Sequence, residues 1–304
     1  MSIQVQSITK LYGPQKALDD VSFTVEPGQV VGFLGPNGAG KSTMMKIISC
    51  FIPQTSGRVT VDGFDVREQA LDVRKRVGYL PEHNPLYLDM YVKEFLRFVG
   101  GIQMGLKDAA KRTDRMIEMT GLGPEQHKKI GALSKGYRQR VGLAQSMIHD
   151  PGVLILDEPT TGLDPNQLVD IRQLIRNIGK EKTVILSTHI MQEVEAICNR
   201  VIIINKGKIV ANEATGELRR QSDNKNAVLV EFDRDIAVDA LKKIPGVVQV
   251  KRSGGNNWII EGGAGQDIRQ EIFRFAVEKG LTVITLQKQE SNLEAVFRQL
   301  TVDK

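Results

Sequence analysis

Residues 35–43 read GPNGAGKST, the G-x-x-x-x-G-K-[ST] spacing of a phosphate-binding loop. Gly35, Gly38 and Gly40 let the backbone approach a phosphate. The loop, which also holds Pro36, Asn37 and Ala39, leads into a helix whose free N–H groups and dipole favour an anion. Lys41 then reaches β and γ oxygens of a nucleotide, Ser42 can ligate Mg²⁺, and Thr43 closes the motif. The alternative is a glycine-rich turn, which fits poorly with the apolar VVGFLG run before it and the helix after it.

Further on, VLILDEP at 153–159 carries two acids out at the end of an apolar strand, where α/β sheets place their ligands. Asp157 would hold Mg²⁺ through water, and Glu158 would polarise an attacking water. Alone, the acid pair could equally cap the next helix; beside a phosphate loop it supplies the other half of an ATPase. LSKG at 133–136 raises a third possibility. Ser134 precedes a helix whose first turn holds Lys135 and Gly136, so its hydroxyl and the free N–H groups form a second anion site. On its own the fragment reads as an ordinary N-cap. One ATP needs only one phosphate loop, however, so the second site would cover the γ-phosphate of a nucleotide held by another copy, two chains closing head to tail around two ATPs.

The elements that must position these residues follow from periodicity. Strands are expected over 2–8, 21–25 and 30–35, then a helix from Lys41 and a hairpin arm at 57–63. From about 86 to 149 the spacing turns helical. βα alternation resumes with a strand at 153–157, a helix over 166–178, a strand at 183–188, a helix over 190–198 and an apolar run over 200–212. Continuous apolar strands between helices predict a mostly parallel sheet covered on both faces. The polar, aperiodic 219–227 marks a boundary, giving a first domain over 1–220 and a second over 227–304. The second reads as strand 227–232, helix 236–244, strand 247–252, strand 257–261, helix 266–279 and strand 281–287. That is the split-βαβ order of ferredoxin-like α+β domains. A last helix over 291–300 opens on a capping box, Ser291 with Glu294.

Composition sets limits. With 304 residues, 41 Lys and Arg against 36 Asp and Glu, and a net charge of +5, the chain is too evenly balanced for a dedicated nucleic-acid binder. No apolar run is long enough to cross a bilayer. The opening MSIQVQSITK has no basic-then-apolar signal, so a cytoplasmic location is expected. Cys50 and Cys198 stand apart in apolar helical surroundings and read as reduced packing residues.

Taken together, residues 2 to about 220 resemble the ATP-binding cassette of ABC transporters, an α/β P-loop NTPase fold with an antiparallel arm and a helical subdomain. LSKGYRQR resembles the signature motif LSGGQ, placed just upstream of the Asp-Glu strand. The resemblance implies that Tyr12 stacks on adenine, that Asp164 in TGLDP belongs to the D-loop facing the other subunit, and that His189 is the switch histidine contacting the γ-phosphate. Without that context Tyr12 would be a half-buried strand-end residue and His189 a structural one. Glu82 in VGYLPEH stands where many members have a glutamine that senses Mg²⁺-nucleotide. Lys135 and Tyr137 also depart, replacing a signature glycine and the signature glutamine. The cofactors implied are ATP and Mg²⁺. The partners implied are a second cassette, in a homodimer, and a separately encoded membrane permease, with the chain peripheral on the inner face of the membrane. The wording YLPEHNPLY and NLEAVFRQL is similar to subunits of type-2 exporters, and most resembles the gliding-motility-associated component of Bacteroidota. A soluble ABC-type ATPase acting on nucleic acid or ribosomes is the alternative; the single phosphate loop and the lack of heptads weigh against it.

Overall fold

The computed structural model describes residues 2–218, 226–263 and 267–288, with Phe297 and Thr301. It divides into two compact units, Met1–Thr215 and Gly216–Lys304.

The first unit is built on two sheets. β1 (Ile3–Tyr12), β2 (Gln15–Val25), β4 (Ser56–Val61) and β5 (Phe64–Asp65) form an antiparallel sheet in the order β2-β1-β4-β5. The other sheet has six strands, adding β3 (Val30–Leu34), β6 (Val77–Leu80), β7 (Val153–Asp157), β8 (Thr183–Thr188), β9 (Arg200–Asn205) and β10 (Lys208–Ala214) in the order β10-β9-β3-β8-β7-β6. All its pairings are parallel except β9 with β10. Every residue of β3, β7 and β8 is buried, as strands covered on both faces require.

β1 and β2 run longer than periodicity indicates. Ser7 and Asp20 take left-handed backbone angles and the pairing shifts register, so the alternation breaks although the strands continue. β6 was not foreseen from the pattern. Four residues containing a glycine carry little signal, and pairing with β7 is what makes them a strand.

Helix α1 (Lys41–Ile48) follows β3, and α2 (Ala70–Arg74) precedes β6. The helical segment holds α3 (Val92–Met104), α4 (Leu106–Met119) and α5 (Lys135–Met147). α3 opens with Tyr91 N–H donating to the Glu94 carboxylate at 3.3 Å, and α5 with Ser134 Oγ accepting from Tyr137 N–H at 3.4 Å. α6 (Pro165–Gly179) is capped by Asp164, which accepts from Gln167 N–H at 2.9 Å, with proline in the first turn. α7 (Met191–Ile197) links β8 to β9. The two cysteines sit just beyond α1 and α7. Burial raises the Cys50 thiol to about 11 and pushes Cys198 higher still, so both are protonated packing groups.

In the second unit β11 (Asn226–Phe232), α8 (Val238–Leu241), β12 (Val247–Gly254), β13 (Asn257–Gly262), α9 (Arg269–Glu278) and β14 (Val283–Lys288) follow one another. The antiparallel order is β12-β13-β11-β14, with Phe232, Trp258, Ile260 and Ile272 in the core. This is the pairing of a split βαβ unit. The expected capping box at Ser291 and Glu294 lies outside the described residues.

Candidate functional site

Register places the chemistry. Leu34 at the end of β3 pairs with Thr188, and Asp157 at the end of β7 pairs with Ser187. The residues one step beyond, namely the loop from Gly35, Glu158 and His189, therefore emerge side by side at the carboxyl edge of the sheet.

The phosphate loop is shaped by contacts that only glycine allows. A Cβ on Gly35 would strike the carbonyl of Ile204. Gly40, at φ 108°, would place one 2.5 Å from the carbonyl of Ala17. Gly38 is left-handed at φ 79°. Lys41 is buried, and its ammonium donates to the carbonyls of Gly35 at 2.9 Å and Pro36 at 3.3 Å while lying 3.4 Å from Glu158 Oε1.

Glu158 is buried and takes φ 49°, a left-handed angle that non-glycine residues adopt mainly where surrounding structure enforces it. Its other oxygen, Oε2, lies 2.9 Å from His189 Nδ1 and accepts from Thr161 Oγ1 at 3.3 Å. Asp157 accepts hydrogen bonds from Ser42 Oγ at 3.1 Å and from Ser187 Oγ. Burial raises its carboxyl above the ordinary value of 3.8, with the charges of Glu158 and Glu82 adding to the rise and the two serine hydrogen bonds opposing it.

A cleft of about 530 Å³ collects Tyr12, Asn37, Gly38, Gly40, Lys41, Ser42, Thr43, Glu82, Glu158 and His189. Tyr12 is half exposed, with the Lys10 ammonium 5.2 Å from its ring centroid. Gly35, Pro36 and Ala39, from the phosphate loop, are not among the lining residues. Gln15, Ala17 and Thr161 also line the cleft and were not foreseen; Thr161, three residues past Glu158, carried a readable signal.

Ser134, Lys135, Gly136 and Asp164 are not among the residues lining this cleft. They form a second locus. Gly136 packs so closely on Gln167 that a Cβ would lie 2.7 Å from its Cδ, and the end of the Lys135 side chain lies against Gly162.

Sequence and fold comparisons bear on this arrangement. A family model described as ABC transporter matches residues 18–161, and an AAA-domain model matches 129–195. The ABC transporter ATP-binding protein NatA of Bacillus subtilis is 39% identical over 214 residues, 68% of this chain and 87% of that protein. This chain belongs to the ABC transporter ATP-binding family. The likeness continues beyond the cassette. The bacitracin transport ATP-binding protein BcrA of Bacillus licheniformis is 31% identical over 98% of this chain and 96% of its own. Among solved structures, a dimeric ATP-binding cassette in a post-hydrolysis state with ADP and Pi superposes with a TM-score of 0.64 and 26% identity, covering 70% of this chain and 98% of that one. The cassette is an ATPase whose hydrolysis is coupled to transport. Among the described residues no helix is long and apolar enough to cross a membrane.

The donor set suits Mg²⁺. Among the described residues no three His, Cys, Asp or Glu gather to hold a metal by themselves. Ser42 and Glu82 line the cleft and the buried Asp157 carboxylate is bonded to Ser42, a set of hard oxygens that fits an ion shared with phosphate oxygens.

Proposed function

We propose that this cassette binds Mg-ATP in the cleft at the carboxyl edge and closes on a second copy of itself to drive a separately encoded type-2 export permease. The observation that supports the reading is that the Ser134 turn, read as a second anion site, lies apart from the lining of the phosphate-loop cleft. The cleft gathers residues of the phosphate loop with Glu158 and His189, and the buried Asp157 bonds to Ser42 at its wall, while Ser134, Lys135 and Gly136 are not among its lining residues. One chain thus holds a nucleotide it does not cover, and covers one it does not hold.

Within each cleft, Lys41 and the loop N–H groups bind the phosphates and Tyr12 offers its ring to the base. Ser42 and Asp157, with Glu82 nearby, would hold Mg²⁺, which when bound offsets phosphate charge. Glu158 takes a proton from the attacking water, and His189, held at 2.9 Å by the same carboxylate, donates toward the γ-phosphate. The other copy completes the site with Ser134, Lys135 and Gly136, and its Asp164 orders the interface. ATP bridges both halves whereas ADP lacks the γ-phosphate link, so hydrolysis reopens the pair.

A groove of about 360 Å³ supports the permease part of the reading. It is lined by Phe51, Tyr79, Val99, Gln145 and His149, and Phe51 is well exposed. Tyr79 Oη and His149 Nδ1 are buried without hydrogen-bond partners among the described residues. The likeness to the bacitracin transport ATP-binding protein BcrA over nearly the whole chain favours the exporter class. The narrower gliding-motility assignment rests on the wording of residues 79–87 and of NLEAVFRQL.

Mass measurement in solution tests the central point. With ATP and hydrolysis blocked, the chain is expected to sediment as a dimer, and with ADP as a monomer. A monomer under both conditions would overturn the reading.

A further inference from the structure

Glu193, in the first turn of α7, is fully buried and is not among the residues lining the nucleotide cleft. Burying a carboxylate is costly unless it is hydrogen-bonded, and this one takes both its bonds from threonine hydroxyls. Thr160 Oγ1 donates to Oε1, and Thr188 Oγ1 donates to Oε2 at 2.6 Å. Both threonines are themselves buried.

The positions of these two donors matter more than their number. Thr160 lies two residues after Glu158, in the turn closed by Thr161 N–H donating to the Glu158 carbonyl at 3.2 Å and Leu163 N–H to the Thr160 carbonyl at 3.2 Å. Thr188 directly precedes His189, and its oxygen also accepts from Ile190 N–H at 3.1 Å, pinning the backbone on both sides of the histidine. One side chain therefore grips the turn that presents Glu158 and the strand end that presents His189.

We propose that Glu193 is a positioning residue for hydrolysis: its carboxylate ties these two segments together and so sets the contact between Glu158 and His189. A packing residue would need only volume here. A carboxylate whose two oxygens each take one hydroxyl fixes the distance between two loops that are far apart in sequence.

This inference rests on the roles proposed for Glu158 and His189, which Glu158→Gln examines by itself. The test uses the purified full chain, with phosphate release measured against ATP concentration and ATP binding measured at equilibrium. Glu193→Gln and Thr160→Val are each expected to lower kcat by about 10- to 100-fold, as a misplaced group does, with KM and the Kd for ATP within about twofold of the parent. Thr160→Ser keeps the hydroxyl and is expected to keep the parent kcat. The double variant Glu193→Gln/Thr160→Val should lose little more than the worse single one, because both break the same link. Parent-like kcat in Thr160→Val overturns the proposal. So does a loss of ATP affinity matching the loss of kcat, which would make Glu193 a general support of the fold. If Glu193→Gln does not fold, the comparison of Thr160→Val with Thr160→Ser decides alone.

Discussion

Replacing Glu158 with glutamine keeps the shape of the side chain and removes its charge. Two consequences compete. The carboxylate lies 3.4 Å from the Lys41 ammonium, and at an effective dielectric near 20 that attraction is about 5 kcal/mol. Glutamine, however, no longer bears the cost of burying a charge, which is of similar size. Lys41 also keeps its hydrogen bonds to the carbonyls of Gly35 and Pro36. The net change in folding stability is therefore expected to stay within about 2 kcal/mol, so the variant folds.

The chemistry is affected much more. Losing a general base costs about 10²- to 10⁴-fold, or about 3 to 5 kcal/mol of barrier. Removing a negative charge beside the phosphates should hold or improve ATP affinity, and slow turnover should accumulate the ATP-bound pair. The assay is steady-state phosphate release alongside equilibrium nucleotide binding. A kcat within about threefold of the parent, with binding intact, would show that Glu158 is not the base.

Three further outcomes are expected. Gly40→Ala forces a left-handed φ of 108° on alanine and drives its Cβ to 2.5 Å from a backbone carbonyl that cannot swing away; thermal unfolding should show a loss of about 2 to 4 kcal/mol and ATP binding should fail. Asp157→Asn should be more stable than the parent at neutral pH while losing turnover. Burial raises the folded carboxyl above 3.8, so the folded chain holds that proton more tightly than the unfolded one, and parent stability falls as pH climbs from 3.8 through the raised value. The variant's advantage in Tm should shrink on acidification, and no shrinkage would contradict the assignment. Ser134→Arg should keep parent ATP affinity, since that residue does not line the cleft, yet lose turnover and ATP-dependent dimerisation.

The site was legible where its chemistry is local. The phosphate loop, the acid pair after β7 and His189 each follow an apolar strand, and the strand both announces the motif and aims it. β6 was not legible, and Gly78 shows why. It suggests a turn, but a Cβ there would meet the carbonyl of Ser146, so the glycine serves the close packing of α5 on the sheet. Glu193 was illegible for a different reason. In sequence it is one acid in an amphipathic helix, and the hydroxyl of Thr160 reaches it across 33 residues only once β7 and β8 have paired.

Lys135 illustrates how folding can absorb a departure from a motif. A lysine in place of the signature glycine looks from sequence like an added charge beside the anion site. In the structure its aliphatic end and ammonium lie against Gly162, whose left-handed φ of 73° and missing side chain leave the room. Next to it Gly136 backs onto Gln167, whose N–H donates to Asp164. The turn at Lys135 and Gly136 and the loop ending at Asp164 are thus packed together. The same loop begins at Glu158, with Thr161 Oγ1 3.3 Å from its carboxylate. In the proposed pair, a partner pressing on Lys135 or Asp164 therefore acts on a short, hydrogen-bonded segment of seven residues that ends at Glu158, the proposed base. That offers a physical route by which occupancy of one nucleotide site can be felt at the other.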